Sequence, residues 1–146
     1  MKPNSNINQD PIVKAMLDAE TKTLAVVGKS SAKQVEKVLE TTLDENLRMI
    51  DETVSYLVSK DRRVVFDAEH FFDGFISNQN YAQKTLEVAL SAGADVVVLC
   101  DTNGGMIPED IKTIIQKVTS YGINNSSLGI HCHNDTDTAV ACSLIA

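Results

Sequence analysis

Three absences bound this chain before any motif is read. It has no run rich in Lys or Arg, and 13 basic against 20 acidic residues leave a net charge of −7. That balance argues against a nucleic-acid or anionic-membrane partner. No apolar run is long enough to span a bilayer, and residues 1–8 lack the apolar core of a secretory signal. Cysteine is scarce: Cys100, Cys132 and Cys142 are an odd count without metal-ligand spacing. They argue against a disulfide framework and read as reduced thiols in a cytoplasmic protein. What remains is an ordinary globular composition, 43% hydrophobic and 23% charged, in 146 residues, enough for one domain with its own core.

A strand–helix unit recurs along the chain. Four short apolar runs, Thr23-Leu-Ala-Val-Val27, Val64-Val-Phe66, Asp95-Val-Val-Val-Leu-Cys100 and Leu128-Gly-Ile130, begin roughly 30 to 40 residues apart. Helical periodicity follows each of the first three. Thr42-Leu-Asp-Glu45 has the form of a capping box, and Leu43, Leu47, Ile50, Val54, Leu57 and Val58 share one side of the helix it opens. Tyr81, Ala82, Thr85, Leu86 and Ala89 repeat the pattern until Gly93 stops it. Pro108-Glu-Asp110 suits a first turn, and that helix runs through Ile111, Ile114, Ile115 and Val118 to Gly122. Another helix is expected at residues 11–19, and a last one from about Asp137 to Ala146.

Strands and helices alternating at this spacing predict a parallel α/β fold, either a doubly wound sheet or part of an eight-stranded barrel. Both carry function at the C-terminal ends of the strands. Here those ends read Gly28-Lys-Ser-Ser31, Asp67-Ala-Glu-His70, Asp101-Thr-Asn-Gly104 and His131-Cys-His-Asn-Asp135, whereas the strand starts are bland. In a strand His131 and His133 point to the same side. They either chelate a divalent metal or merely satisfy backbone groups. With oxygen ligands the pair suits Zn²⁺, Mn²⁺, Fe²⁺ or Mg²⁺. No third ligand is obvious; Asp101 is a candidate, or else it caps the loop that follows it. Asp67 and Glu69 also share a face, paired with Lys29 or Arg63 or else functional. In the functional reading Phe66, Phe71 and Phe72 desolvate Glu69 and suit its carboxyl to moving protons near neutrality. His70 reaches the same pocket only through a bend. Phe71-Phe-Asp-Gly-Phe75 is expected to be a loop over the barrel rim. The glycine-bearing turn at residues 101–105 lacks the ending of a P-loop but could hold a carboxylate on its backbone N–H groups, and residues 28–31 are too short for one.

Three segments carry a resemblance: Phe66-Asp-Ala-Glu-His-Phe-Phe-Asp-Gly74, Val98-Leu-Cys-Asp-Thr-Asn-Gly-Gly105 and Leu128-Gly-Ile-His-Cys-His-Asn-Asp135. They resemble successive signatures of the citramalate synthase branch of the isopropylmalate/homocitrate synthase family, metal-dependent TIM-barrel enzymes. The first segment discriminates the branch, and Thr42-Leu-Asp-Glu-Asn-Leu47 extends the likeness. The resemblance implies a partial (β/α)8 TIM barrel, with residues 1–146 similar to strands four to seven and their helices. It also implies that residues 1–146 are the partial catalytic domain of a pyruvate-carboxyltransferase-like enzyme. The implied reaction condenses acetyl-CoA with pyruvate to (R)-citramalate, in isoleucine biosynthesis, with a divalent metal ion (Mn, Mg or Zn). The resemblance gives His131 and His133 the metal, Thr102 a hydrogen bond to the keto acid, and Glu69 the proton or orientation of the acetyl group. It also implies a homodimer for the complete enzyme.

The chain departs from that family in two respects. No counterpart of the family's first-strand Arg and Asp is found, and an Ala-Val-Ala-Asn sequence is replaced by Ala139-Val-Ala-Cys142. The expectation is a fragment with two open sheet edges, inactive alone. The alternatives are a 2-isopropylmalate synthase-like enzyme using 2-oxoisovalerate, and a catalytically silent half-barrel module.

Overall fold

The four apolar segments become four strands, β1 (Thr23–Lys29), β2 (Arg63–Glu69), β3 (Val96–Asp101) and β4 (Leu128–Cys132). In the computed structural model, which describes residues 1–146, they pair in chain order β1-β2-β3-β4, every pair parallel. That order separates the two architectures the spacing allowed. A doubly wound sheet reverses its strand order at a switch point, whereas a barrel wall does not. No reversal occurs here, so the four strands form a stretch of barrel wall whose two edges are β1 and β4.

Strand parity decides which side is core. Leu24 of β1, Val64, Phe66 and Ala68 of β2, and Val97 and Leu99 of β3 are buried. They share one apolar cluster with helix side chains such as Val54, Leu57, Leu86, Ala89, Ile111 and Val118. The alternate residues face the other way, and Val27 on that side is 62% exposed.

Seven α-helices cover the core side: α1 (Pro11–Asp18), α2 (Ala32–Lys37), α3 (Leu43–Ser59), α4 (Phe71–Ser77), α5 (Gln79–Ser91), α6 (Pro108–Ser120) and α7 (Ala139–Ile145). Local chemistry sets their ends. The Asp10 carboxylate accepts from the Ile12 and Val13 N–H groups, with Pro11 in the first turn. Gly93 and Gly122 follow α5 and α6 at φ +104° and +92°, where a side chain would strain. The capping box on α3 is half-formed. Thr42 Oγ1 accepts from Glu45 N–H at 3.1 Å, but the Glu45 carboxylate turns away to Arg48 and to the Asn4 N–H. The Arg48 hydrogen bonds, followed by that of Asn4, hold it down at about 2.

Two helices escape the periodicity. Besides short α2, residues 71–75 form most of α4 instead of the expected rim loop. Phe71, Phe72 and Phe75 are all buried, with Phe71 edge-on to Phe72 at 5.7 Å and 5.6 Å from Phe75. Burying three rings outweighs the poor helix propensity of the central Gly74. The last helix starts at Ala139, not near Asp137, because Asp137 takes a left-handed conformation and Asn134 Oδ1 accepts the Ala139 N–H.

Gly74 is where α4 meets the end of β1. A Cβ there would lie 2.3 Å from the Ser30 carbonyl oxygen and 2.9 Å from Ser31 Cα. Ser30 cannot retreat easily: it is fully buried, its N–H donates to the Glu69 carbonyl at 2.9 Å, and its hydroxyl meets Thr85 Oγ1 at 2.7 Å. Alanine in a helix interior ordinarily gains about 1 kcal/mol over glycine. Gly74→Ala should nevertheless destabilise, by about 1–3 kcal/mol for a clash against backbone. Urea unfolding checks this, and an unchanged or higher midpoint would contradict the packing described.

Candidate functional site

The face opposite the core carries the polar strand ends. Asp67 and Glu69 come from β2, Cys100 from β3 with Thr102 just beyond it, and His131 from β4 with His133 just beyond. Together with Val27 these residues line one cavity of about 170 Å³. Cys100 and His131 are direct partners in the β3–β4 register. The HxH expectation of a shared side is met: the two rings lie 5.0 Å apart, centroid to centroid. His133 N–H donates to the Asp101 carbonyl at 3.2 Å, extending the ladder past the strand and fixing the second histidine.

Asp101 lies on the wrong side to join them. It is buried on the helix side of β3, where its carboxylate accepts the Gly105 N–H at 3.3 Å and the Met106 N–H at 3.0 Å. It therefore caps the loop and is no partner for the histidines. Of the turn N–H groups expected to hold a substrate carboxylate, that of Gly105 is taken by the Asp101 carboxylate and that of Gly104 by the Asp101 carbonyl. The acid that does face the histidines is Asp67, whose Oδ2 stands 3.7 Å from His131 Nδ1. Cys100 Sγ is 4.0 Å from that same nitrogen. Donor atoms of Asp67, Cys100 and His131 all lie within 4.8 Å of one another. This three-residue group shares His131 with the HxH pair and leaves out His133. Imidazole, carboxylate and thiol are a donor set suited to a divalent transition metal.

Glu69 sits differently from expectation. Phe66, Phe71 and Phe72 are buried in the core cluster, on the side opposite the strand parity of Glu69. What faces its carboxylate is the Lys29 ammonium, in an ion pair whose two side chains are 18% and 28% exposed. The paired reading of Glu69 is the one seen, with Lys29 as partner. Arg63 instead meets Asp95 at 3.4 Å, at the other end of β2.

Thr102 is held by backbone. Its Oγ1 accepts the His70 N–H at 2.7 Å. His70 adopts a left-handed conformation, φ +58° and ψ +32°, at the turn into α4, a strained geometry for a residue with a side chain. Its ring anchors that turn: Nδ1 lies 3.3 Å from Asp73 Oδ2, which also accepts from Asn103 Nδ2 at 2.6 Å. That bond uses one of the two lone pairs of the Thr102 hydroxyl and leaves its proton free to be donated. The bend brings the His70 backbone to the site rather than its ring, which does not line the cavity.

The thiols are free, as their number implied. Burial, then the charges of Asp67 and Glu69, push Cys100 up to about 12. Burial also raises Cys132. Cys142 is a packing residue, its Sγ 3.4 Å from the Met106 carbonyl oxygen. The β4–α7 loop is laced to the β3–α6 loop by Thr136 Oγ1 donating to the Gly104 carbonyl and Thr138 Oγ1 donating to that of Met106. Cys100 and Asp67 were missed as neighbours of His131. Counting alternate residues outward from apolar Val97 and Leu99 would have placed Cys100 and Thr102 with the histidines and Asp101 behind them.

Comparison with known proteins extends this picture. A family profile described as HMGL-like matches residues 5–146. The (R)-citramalate synthase of Aquifex aeolicus is 51% identical over 145 residues, 99% of this chain and 27% of that protein. That of Streptomyces coelicolor is 47% identical over the same shares. A 2-isopropylmalate synthase of Pyrococcus furiosus is 31% identical over 139 residues, 94% of this chain and 27% of that protein. The chain thus spans about a quarter of the length of these relatives. Among solved structures, the HMG-CoA lyase of Bacillus subtilis aligns with a TM-score of 0.81 at 14% identity, over 91% of this chain and 45% of that one. An Acinetobacter baumannii HMG-CoA lyase, solved with coenzyme A and 3-methylmalate, aligns with a TM-score of 0.71 at 23% identity, over 91% and 44%. These structural matches establish a partial TIM barrel, and the profile match over nearly the whole length shows that the chain belongs to the HMGL-like family.

Proposed function

We propose that this chain is the substrate-binding and metal-binding part of an acyltransferase of the citramalate synthase type. The enzyme joins the methyl carbon of acetyl-CoA to the keto carbon of pyruvate, then hydrolyses the thioester to (R)-citramalate. The carrying observation is the gradient of identity, 51% to a citramalate synthase against 31% to a 2-isopropylmalate synthase. It favours pyruvate over 2-oxoisovalerate. The coenzyme A in the complex of the Acinetobacter baumannii neighbour supports a thioester co-substrate. Free cysteines support a cytoplasmic setting, and the family likeness supports a homodimer at full length.

The roles that the family resemblance implies are supported by the placement of these residues around one cavity. His131 and His133 hold a divalent ion, Mn²⁺, Mg²⁺ or Zn²⁺, and Asp67 adds negative charge beside it. When bound, such an ion polarises the keto carbonyl as a Lewis acid. Thr102 donates its hydroxyl proton to an oxygen of the keto acid, a proton that its bond from the His70 N–H leaves free. Glu69 takes or orients the proton of the acetyl methyl. Lys29 holds that carboxylate beside the cavity through their ion pair.

A segment exchange tests the reading. Residues 5–146 should replace the matching stretch of the Aquifex aeolicus relative with retention of pyruvate-dependent release of coenzyme A from acetyl-CoA. Preference for 2-oxoisovalerate would overturn the choice of keto acid, and a folded, inactive exchange would favour a silent module. In the active exchange, Glu69→Gln should lower kcat by about 10²–10⁴-fold, the usual range for a positioned acid or base.

Two further substitutions separate the roles. Thr102→Ser should keep most activity. Thr102→Val should raise the KM for pyruvate and, by stranding the His70 N–H, lower stability by about 1–3 kcal/mol. Equal behaviour of the two variants would remove Thr102 from the site. His133→Ala should weaken Mn²⁺ binding, followed by calorimetry, by roughly ten-fold or more, and unchanged affinity would contradict its ligand role.

A further inference from the structure

We propose a second metal-binding mode at this strand end: Asp67, Cys100 and His131 together take a thiophilic divalent cation, Zn²⁺ or Cd²⁺, through the Cys100 sulfur. The proposal uses only donors present in this chain and does not rest on the acyltransferase reading.

The geometry carries the inference. Cys100 and His131 face each other across the β3–β4 ladder, so backbone pairing, not a mobile loop, sets the spacing of sulfur and nitrogen. Cys100 Sγ lies 4.0 Å and Asp67 Oδ2 3.7 Å from His131 Nδ1. Zinc bonds of about 2.0–2.3 Å place tetrahedral ligand atoms roughly 3.4–3.6 Å apart. Small side-chain rotations close that difference and leave the fourth position to water. The three residues line the same cavity, which gives the cation a route in.

Chemistry selects the cation. A thiolate, an imidazole and a carboxylate favour zinc and its heavier analogue over Mg²⁺, which requires an octahedral oxygen shell. On binding, the Cys100 S–H bond breaks and a metal–sulfur bond forms, the proton leaves to solvent, and no electron is transferred. The negative charge of Asp67, which faces His131, favours a dication at the same place. This mode and the HxH pair both need His131, so one cation there excludes the other. A soft cation is therefore an antagonist of a hard one at the HxH site.

Cd²⁺ titration of residues 1–146, read by the ultraviolet thiolate-to-cadmium charge-transfer band, tests the assignment. One equivalent should produce the band, and millimolar Mg²⁺ should not remove it. Cys100→Ser should abolish it, whereas Cys132→Ser and Cys142→Ser should leave it intact. Asp67→Asn and His131→Ala should each weaken Cd²⁺ binding by roughly ten-fold or more, at least the loss seen for outer-shell changes at metal sites. His133→Ala should keep the band while losing Mn²⁺ affinity. A band that survives Cys100→Ser, or that disappears in His133→Ala, would overturn the proposal. Because serine closely matches cysteine in size, a folded Cys100→Ser protein is expected, and its circular dichroism confirms that the loss is local.

Discussion

The rest of the structure depends on one constraint: a parallel sheet covered by helices on one face only. Side chains alternate strictly along each strand, and that period divides the residues into two chemistries. Residues of one parity must fill the core, and Leu24, Phe66, Val97 and Leu99 do so. Those of the other parity are released from that demand. On the core-facing parity, a polar group is tolerated only when saturated, as Asp101 is by two N–H groups. On the other parity Asp67, Glu69, Cys100 and His131 remain available. Parallel pairing in chain order then brings all of these to the same end of the sheet.

The rim of the site is built from close backbone approaches, not from side-chain reach. Gly28 lets the Phe66 ring sit against β1, since a Cβ would come within 2.5 Å of it. Gly74 lets α4 press on Ser30 and Ser31. That contact fixes the turn at His70, whose left-handed backbone delivers an N–H to Thr102. A glycine in a helix, two buried serines and a strained histidine thus act on one hydroxyl. The phenylalanine-rich segment belongs to this scaffold: its rings anchor α4 in the core while its backbone orients the strand end.

The fold was legible because its signals are periodic. Apolar runs at regular spacing, capping residues and terminal glycines marked the strands and the longer helices to within a few residues. The helix α4 was not legible, since a Phe-Phe-Asp-Gly-Phe run has poor helix propensity and only tertiary burial of its rings makes it helical. In the site, the shared face of His131 and His133 followed from alternation alone. The third partner did not. Asp101 drew attention as the acid at the end of β3, yet parity turns it inward. Asp67 was visible as a carboxylate, but its approach to His131 spans two strands and depends on sheet register, which a linear pattern does not contain. Lys29 shows the same limit: Glu69 had two basic candidates, and the pairing of Lys29 with Glu69 in the β1–β2 register selects between them.

Electrostatics explains why these groups can coexist on one open face. Asp67 and Glu69 are adjacent carboxylates of the same parity, and Lys29 neutralises only one of them. The uncompensated charge of Asp67 points at His131, which gives the cavity a net attraction for a cation. Such a field raises affinity for hard and soft metals alike; ligand identity distinguishes them. His131 and His133 place two imidazoles 5.0 Å apart on the cavity. Cys100 places sulfur 4.0 Å from Nδ1 of the first of them. The β3–β4 register therefore does more than pair backbone: it sets a thiol directly across from an imidazole, at the end of the sheet where the unpaired charge of Asp67 also faces that ring.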